Sequence, residues 1–565
     1  MNKSYLVILL LVVSFAGYGQ GLAVRESEKT VTLENNLLSL SFTKNNADLS
    51  AIVYKGKSLL NGKDQRAYLL GPGFSMYPSQ FKITRQTADL IEVSFYHEAG
   101  NFFQYDLRYV LKNNEPGVYC YLVQSHRAKD SAGNYGQTRW GIRSNEALFD
   151  YHLVRDSIQG PMPKMAELKD DIQDWTFKLA DGSIYTKYNY ADYIDGRNVH
   201  GMAGQTSGLG MFVIQASHEY LNGGPTKQYQ NVHSNPYLIN MFNCGHFLSD
   251  KRKGDNLIPD DWTKLDGPFL LYFNEGKNIA GIWDDAKVKA EIEKKQWPYS
   301  WMLHPGYPLQ RGTVKGRLVI DNKPAGGAKL LLAQPGHDWQ AQSRDYIFAV
   351  DANSDGTFSI TNVRPGTYSL YAFGANSTDE FHKADVEVVA GKTLNLQELK
   401  WETAKTGRLL WQIGIADRKT TGFKLADSKR DYSLFKQPPA DLVFTVGKNK
   451  TSDWYYAQTK KGSWDISFNV EEDLNGQGLL TLGIAGSAKN PALEVWINGN
   501  RLGNYHFGND ASVYRSAVAG GYYNKLQVPF PSSLLRKGTN IVSLKLPDVK
   551  DGGGIMYDVI KLEAN

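Results

Sequence analysis

The sequence predicts a mostly β protein of several domains, on three observations. At the usual ~100–200 residues per domain, its 565 residues make roughly three to four domains. Tyr 33, Phe 24 and Trp 12 stand beside Gly 54, and rings favour pleated surfaces while Gly supplies the positive φ angles of tight turns. Apolar residues alternate with polar ones along much of the chain, the period of strands with one buried face.

In chain order, Lys3, the apolar run Leu6 to Phe15 and the small residues Gly17 and Gly19 have the layout of a secretory signal peptide over residues 1–19. Strands are then expected around Leu38, Leu40 and Phe42, around Ile91, Val93 and Phe95, and from Phe103 to Leu111. One helical stretch runs from about Asp284 to Lys295, with Ala286, Ala290 and Ile292 at helical spacing. The connection from Trp297-Pro298 to Tyr307-Pro308 breaks the pattern, so the first domain is expected over 20–305. Short strands with turns at Gly326-Gly327, Asp355-Gly356 and Pro365-Gly366 suit an immunoglobulin-like sandwich over 306–398. Asp351, Asn353, Asp355 and Gly356 mimic the start of a calcium loop, but its twelfth position is Asn362 instead of the bidentate Glu, so a hairpin turn is expected. Alternation around Leu480, Leu493 and Val542 reads as a jelly roll over 399–565, where Trp454 and Tyr455 fit either a sugar platform or the core.

Composition excludes several classes. Hydrophobic residues at 42% and charged residues at 21% are too apolar a mix for disorder. A net charge of +5, with no block of Lys and Arg, gives no groove for a polyanion such as nucleic acid. No segment after the leader is long and apolar enough for a membrane-spanning helix, so a secreted or periplasmic protein is expected. Cys120 and Cys244 are the two cysteines, too few for a disulfide scaffold or a Cys-ligated zinc. One disulfide and two buried thiols both fit.

Candidate chemistry lies between Arg139 and His246. Arg139 and Arg143, four residues apart, share one face if they lie in a strand and suit carboxylate clamping, although ion-paired surface arginines have the same spacing. Lys187 stands among rings in Tyr185-Thr186-Lys187-Tyr188; a lysine there acts as a base if desolvated and packs its stem against the rings if not. His200, His218, His233 and His246 lack metal-ligand spacing. No G-x-S-x-G elbow or phosphate-binding glycine loop is present.

The succession of Arg139 and Arg143, Tyr185-Thr186-Lys187-Tyr188, Val199-His200-Gly201, His218-Glu219-Tyr220 with Gly223-Gly224-Pro225, and Gly245-His246 resembles rhamnogalacturonan lyases of polysaccharide lyase family four. Leu410-Trp411-Gln412-Ile413-Gly414 and Gly554-Ile555-Met556-Tyr557-Asp558 extend the likeness to the C-terminus. The resemblance implies a galactose-mutarotase-like β-sandwich, then a fibronectin type III-like (immunoglobulin-like) domain, then a jelly roll like those of carbohydrate-binding modules. It implies an endolyase that cleaves pectin rhamnogalacturonan by β-elimination, with Lys187 and His246 as the catalytic pair. Arg139 and Arg143 would hold the carboxylate, and Tyr188 and Glu219 would contact substrate. No cofactor or catalytic metal is implied; a structural calcium is left open, and a monomer is the expected state. A non-catalytic pectin-binding protein and a glycoside hydrolase are the alternatives, the latter needing two carboxylates where only Glu219 has a motif-like setting.

Overall fold

The alternation of the first 275 or so residues becomes two large antiparallel sheets packed face to face. The computed structural model describes residues 21–60, 62–71, 74–98, 103–133, 136–193, 198–243, 257–428, 430, 432–510, 512–513 and 521–565. The leader, Cys244 and His246 lie outside the described residues.

One sheet runs from Ala23–Glu26 through Leu38–Thr43 and Ala67–Gly71 to Thr138–Arg143, Tyr237–Asn243 and Val232–His233. The other runs from Ile158–Pro161 through Val199–Ala203 and Trp262–Glu275 to Gln104–Lys112 and Gln80–Gln86. Their inner faces meet in an aromatic core. Phe42 of the first sheet lies 4.6 Å from Tyr109 of the second, and Trp140 lies 5.2 Å from Phe269. Buried indole N–H groups need a partner, and Trp140 Nε1 donates to Tyr109 Oη at 2.9 Å. Cys120 is a free thiol in this core, and burial pushes its pKa up.

The helix spans Ile279–Gln296, five residues longer at its start than its apolar spacing indicates. Asn278 caps it by accepting from the Gly281 N–H at 2.8 Å. Ile282, Trp283, Ala286 and Ala290 face the sheet, whereas Ile292, expected on that face, is exposed. Glu293 points inward instead, because its carboxylate accepts from Tyr299 Oη at 2.5 Å and Tyr119 Oη at 3.0 Å.

The second domain pairs two four-stranded sheets, one holding Gly312–Ile320 and Thr357–Val363, the other Lys329–Ala333 and Gly366–Gly374. The calcium-loop mimic is a turn whose Asp355 Oδ1 accepts from the Thr357 N–H at 3.0 Å. The third domain stacks two five-stranded sheets, one led by Gln477–Ala488 and Gly554–Ala564, the other by Gly462–Val470 and Gly538–Leu546. Trp454 belongs to the core between them, fully buried and 4.9 Å edge-on to Trp464.

Glu219 is corrected from substrate contact to domain joint. Its side chain is 1% exposed, and Arg311 and Arg364 from beyond the first domain close on it. Arg311 Nη1 donates to Oε2 at 2.5 Å and Arg364 Nε to Oε1 at 2.7 Å. No face of the carboxylate is left for a sugar. Burial pushes the Glu219 carboxyl up, but the guanidiniums of Arg364 and Arg311 outweigh it and hold the carboxyl below its usual range. Breaking a buried pair by removing one partner costs about 3–5 kcal/mol, so Glu219→Gln is expected to lower stability by roughly that much at neutral pH in chemical or thermal unfolding. A depressed carboxyl stabilises fully above its unfolded pKa of about 4.3 and loses that contribution as pH falls from there through the folded value. The gap between wild type and variant should therefore narrow below about pH 4; a gap that stays constant down to strong acid would contradict the ion-pair account.

Candidate active site

The strand Thr138–Arg143 pairs with Tyr237–Asn243, Arg143 lying opposite Tyr237 and Arg139 opposite Met241. Period two puts both guanidiniums on one face, over the ring of Tyr237. Arg143 Cζ lies 4.9 Å from the ring centroid and Arg139 Cζ 6.0 Å, within reach of cation–π attraction. Gly141 between them is what admits the ring: a Cβ there would come within 2.7 Å of Tyr237 Cε2. Tyr237 Oη accepts from Tyr68 Oη at 3.1 Å, and burial raises the pKa of the Tyr237 phenol, with Arg139 pulling the other way. Arg66 lies 5.5 Å over the Tyr68 ring.

Lys187 opens a short 3₁₀ turn, Lys187–Tyr190, at the end of the strand Ile184–Thr186. Thr186 caps the turn by accepting from the Tyr188 N–H at 3.4 Å. The Lys187 N–H donates to the Trp175 carbonyl at 3.2 Å, and its Nζ donates to Asp174 Oδ1 at 2.5 Å. Tyr188 is buried, and its Oη donates to Asp174 Oδ2 at 2.5 Å. Asp174 and Trp175 both have left-handed backbones, φ 51° and 61°. For a bulky residue such as Trp this is uncommon and costs about 1–3 kcal/mol.

A chain of hydrogen bonds anchors the turn. The Ser234 N–H donates to Tyr185 Oη at 2.6 Å. His152 bonds Gly160 O through Nδ1 at 3.0 Å and Tyr185 Oη through Nε2 at 3.1 Å. A carbonyl only accepts, so Nδ1 carries the proton and Nε2 takes the tyrosine hydrogen. Burial pushes the His152 pKa down to about 3, and the ring stays neutral.

His233 connects the two halves of the site. Its ring lies 5.0 Å from Tyr237 and 5.2 Å from Trp175, and Nδ1 donates to the Ser234 carbonyl at 2.8 Å. Burial drives its pKa well below the usual value, and the positive charges of Lys187 and Arg143 push the same way. The imidazole is therefore neutral and separates the arginine face from the lysine turn. The third domain reaches this turn: Tyr432 Oη donates to Asp174 Oδ2 at 3.2 Å, and the Arg430 N–H donates to Asn189 Oδ1 at 2.8 Å.

Thus Arg139, Arg143, Lys187 and Tyr188 gather around His233 and Tyr237, Glu219 does not join them, and His246 lies outside the described residues. His200 is a core residue bonded to the Ile239 carbonyl at 2.7 Å. Sequence reasoning missed Asp174, Trp175, Tyr237 and Tyr432, which share no motif with the residues they touch. Among the described residues no group of three His, Cys, Asp or Glu stands ready for a metal. Two half-buried guanidiniums beside an amine can hold a carboxylate and take a proton next to it.

Three family models match in succession: "Rhamnogalacturonan lyase B, N-terminal" over residues 21–286, "Polysaccharide lyase family 4, domain II" over 310–396 and "Polysaccharide lyase family 4, domain III" over 409–562. A rhamnogalacturonate lyase of Dickeya dadantii is 32% identical, the match covering 94% of this chain and 93% of that one. A probable rhamnogalacturonate lyase B of Aspergillus niger is 23% identical over 92% of this chain and 87% of its own. Among solved structures, a galactose mutarotase-like protein from Lactobacillus casei aligns with 45% of this chain and all of its own, at 11% identity and a TM-score of 0.27.

If Gly141 exists to admit the Tyr237 ring, Gly141→Ala should cost about 1–3 kcal/mol through overpacking. Thermal unfolding in two backgrounds checks this, because the same change added to Tyr237→Ala should cost far less. Equal costs in both would show that the ring is not what the glycine accommodates.

Proposed function

Because the chain belongs to polysaccharide lyase family 4, we propose that it cleaves the rhamnose-(1→4)-galacturonic acid bond of rhamnogalacturonan by β-elimination. The observation that supports this best is the gathering of Arg139, Arg143 and Lys187 around His233 and Tyr237. Elimination needs that combination. The C5 proton of galacturonate is weakly acidic while the adjacent carboxylate is charged, since its removal leaves an enolate-like dianion. Arg139 and Arg143 stabilise that dianion with charge-assisted hydrogen bonds.

Lys187, as the neutral amine, takes the proton from C5. The electron pair forms the C4–C5 double bond, the C4–O4 bond breaks, and O4 leaves on rhamnose. In this reading His246 gives O4 its proton. One product carries an unsaturated uronate at its non-reducing end and the other a free reducing rhamnose. Tyr188 supports the base through Asp174 instead of contacting the substrate. The N-terminal leader and a polysaccharide substrate support a secreted or periplasmic site of action. Among the described residues, no helix is long and apolar enough to cross a membrane.

Formation of the unsaturated uronate, followed by ultraviolet absorbance on rhamnogalacturonan and on homogalacturonan, tests this reading; absorbance from homogalacturonan alone would point to another lyase. Lys187→Met should lower turnover at least ~10²-fold, the value of a missing general base, and a variant keeping more than about a tenth of the wild-type rate would refute that role. Arg139→Lys and Arg143→Lys should each lose activity although charge is kept, because lysine lacks the planar fork. Saturating EDTA should leave initial rates intact, and loss restored by calcium would move charge neutralisation to an ion.

A further inference from the structure

We propose that Asp174 and Tyr432 position Lys187 for proton transfer, which makes the third domain a working part of the active site. The inference rests on the reading of Lys187 as the base. A lysine stem has four rotatable bonds, and an amine that must meet one C–H bond loses rate whenever it wanders. Asp174 restrains it: Oδ1 takes the Lys187 ammonium at 2.5 Å, while Oδ2 takes Tyr188 Oη at 2.5 Å and Tyr432 Oη at 3.2 Å. One carboxylate is thus held by three donors from two domains.

The backbone points the same way. Asp174 and Trp175 are consecutive left-handed residues, and strain of this kind collects where geometry serves function. It is kept in place by Trp175 Nε1, which donates to Ser234 Oγ at 3.1 Å, and by the Trp175 carbonyl, which accepts from the Lys187 N–H. The third domain grips the lysine turn at further points. Arg430 bonds Asn189 through its N–H and Gln228 through its guanidinium, and the Tyr432 ring meets Tyr188 edge-on at 6.2 Å.

Among the described residues, the charged and titratable groups around Lys187 include Asp174, Tyr188, Tyr432, the neutral His233 and, beyond it, Arg143. Asp174 favours the ammonium and Arg143 the amine. Asparagine at 174 keeps the shape and removes the anion, which tips the balance toward the amine.

The test uses the full-length protein on rhamnogalacturonan, measuring kcat, KM, the pH profile and the unfolding temperature. Tyr432→Phe should lower kcat about tenfold or more, the fold-change of one hydrogen bond to a charged group, with KM and unfolding temperature unchanged. Asp174→Asn should lower kcat at least about tenfold and move the acid limb of the profile to lower pH; Asp174→Glu should restore part of the rate and the original limb. A role confined to holding domains together would lower the unfolding temperature and leave the pH limb where it was, which would overturn the proposal. So would wild-type kcat in both Tyr432→Phe and Asp174→Asn while Lys187→Met is inactive. Should Asp174→Asn fail to fold, Tyr432→Phe decides alone. An active Lys187→Met would instead overturn the assignment of the base, and this inference with it.

Discussion

Concentrated positive charge is the constraint to which the active region answers. Arg139 and Arg143 share the ring of Tyr237, Arg143 and Lys187 both bear on His233, and like charges in partly desolvated surroundings repel. The protein offsets this without filling the site with acids. The π face of Tyr237 lies under both guanidiniums, Asp174 meets the ammonium from the side, and His233 between them is kept neutral by burial. An arginine pair neutralised by carboxylates of its own would have little charge left for a substrate. A ring quadrupole attracts the cations while leaving their donors available.

Each device depends on backbone that lies elsewhere in the chain. Tyr237 can sit under the arginines because Gly141 has no side chain, and because its strand pairs with Thr138–Arg143 in a register that sets it opposite Arg143. Lys187 is aimed by a capped turn whose anchor runs through Tyr185 to Ser234 and His152. The second and third domains complete the arrangement from outside. Arg311 and Arg364 lock the Glu219 segment, and Tyr432 bonds to Asp174. The three domains therefore share polar joints, which make the orientation of neighbours specific in a way that apolar contact alone does not.

The β class and the shared face of the paired arginines were legible in the sequence because each rests on local rules. Alternation marks strands wherever one face is buried, and residues i and i+4 of a strand share a face whatever surrounds them. The helix was legible for the same reason, although Ile292 is exposed and Glu293 turns inward instead, where two tyrosine hydroxyls offer its carboxylate a partner. The motif carrying Glu219 was legible as a motif, but its role was not. Only the docking of the second domain brings Arg311 and Arg364, 92 and 145 residues away in sequence, onto that carboxylate. Tyr237, Asp174 and Tyr432 left no local sign, since a single aromatic or acidic residue acquires a role from what faces it. By itself the sequence determined which residues could carry charge and which face of each strand they shared. Tertiary structure decided which charges meet, because pairing across 13 residues for Lys187 with Asp174, and 258 for Tyr432 with Asp174, is set by sheet register and domain docking, and neither is a property of local sequence.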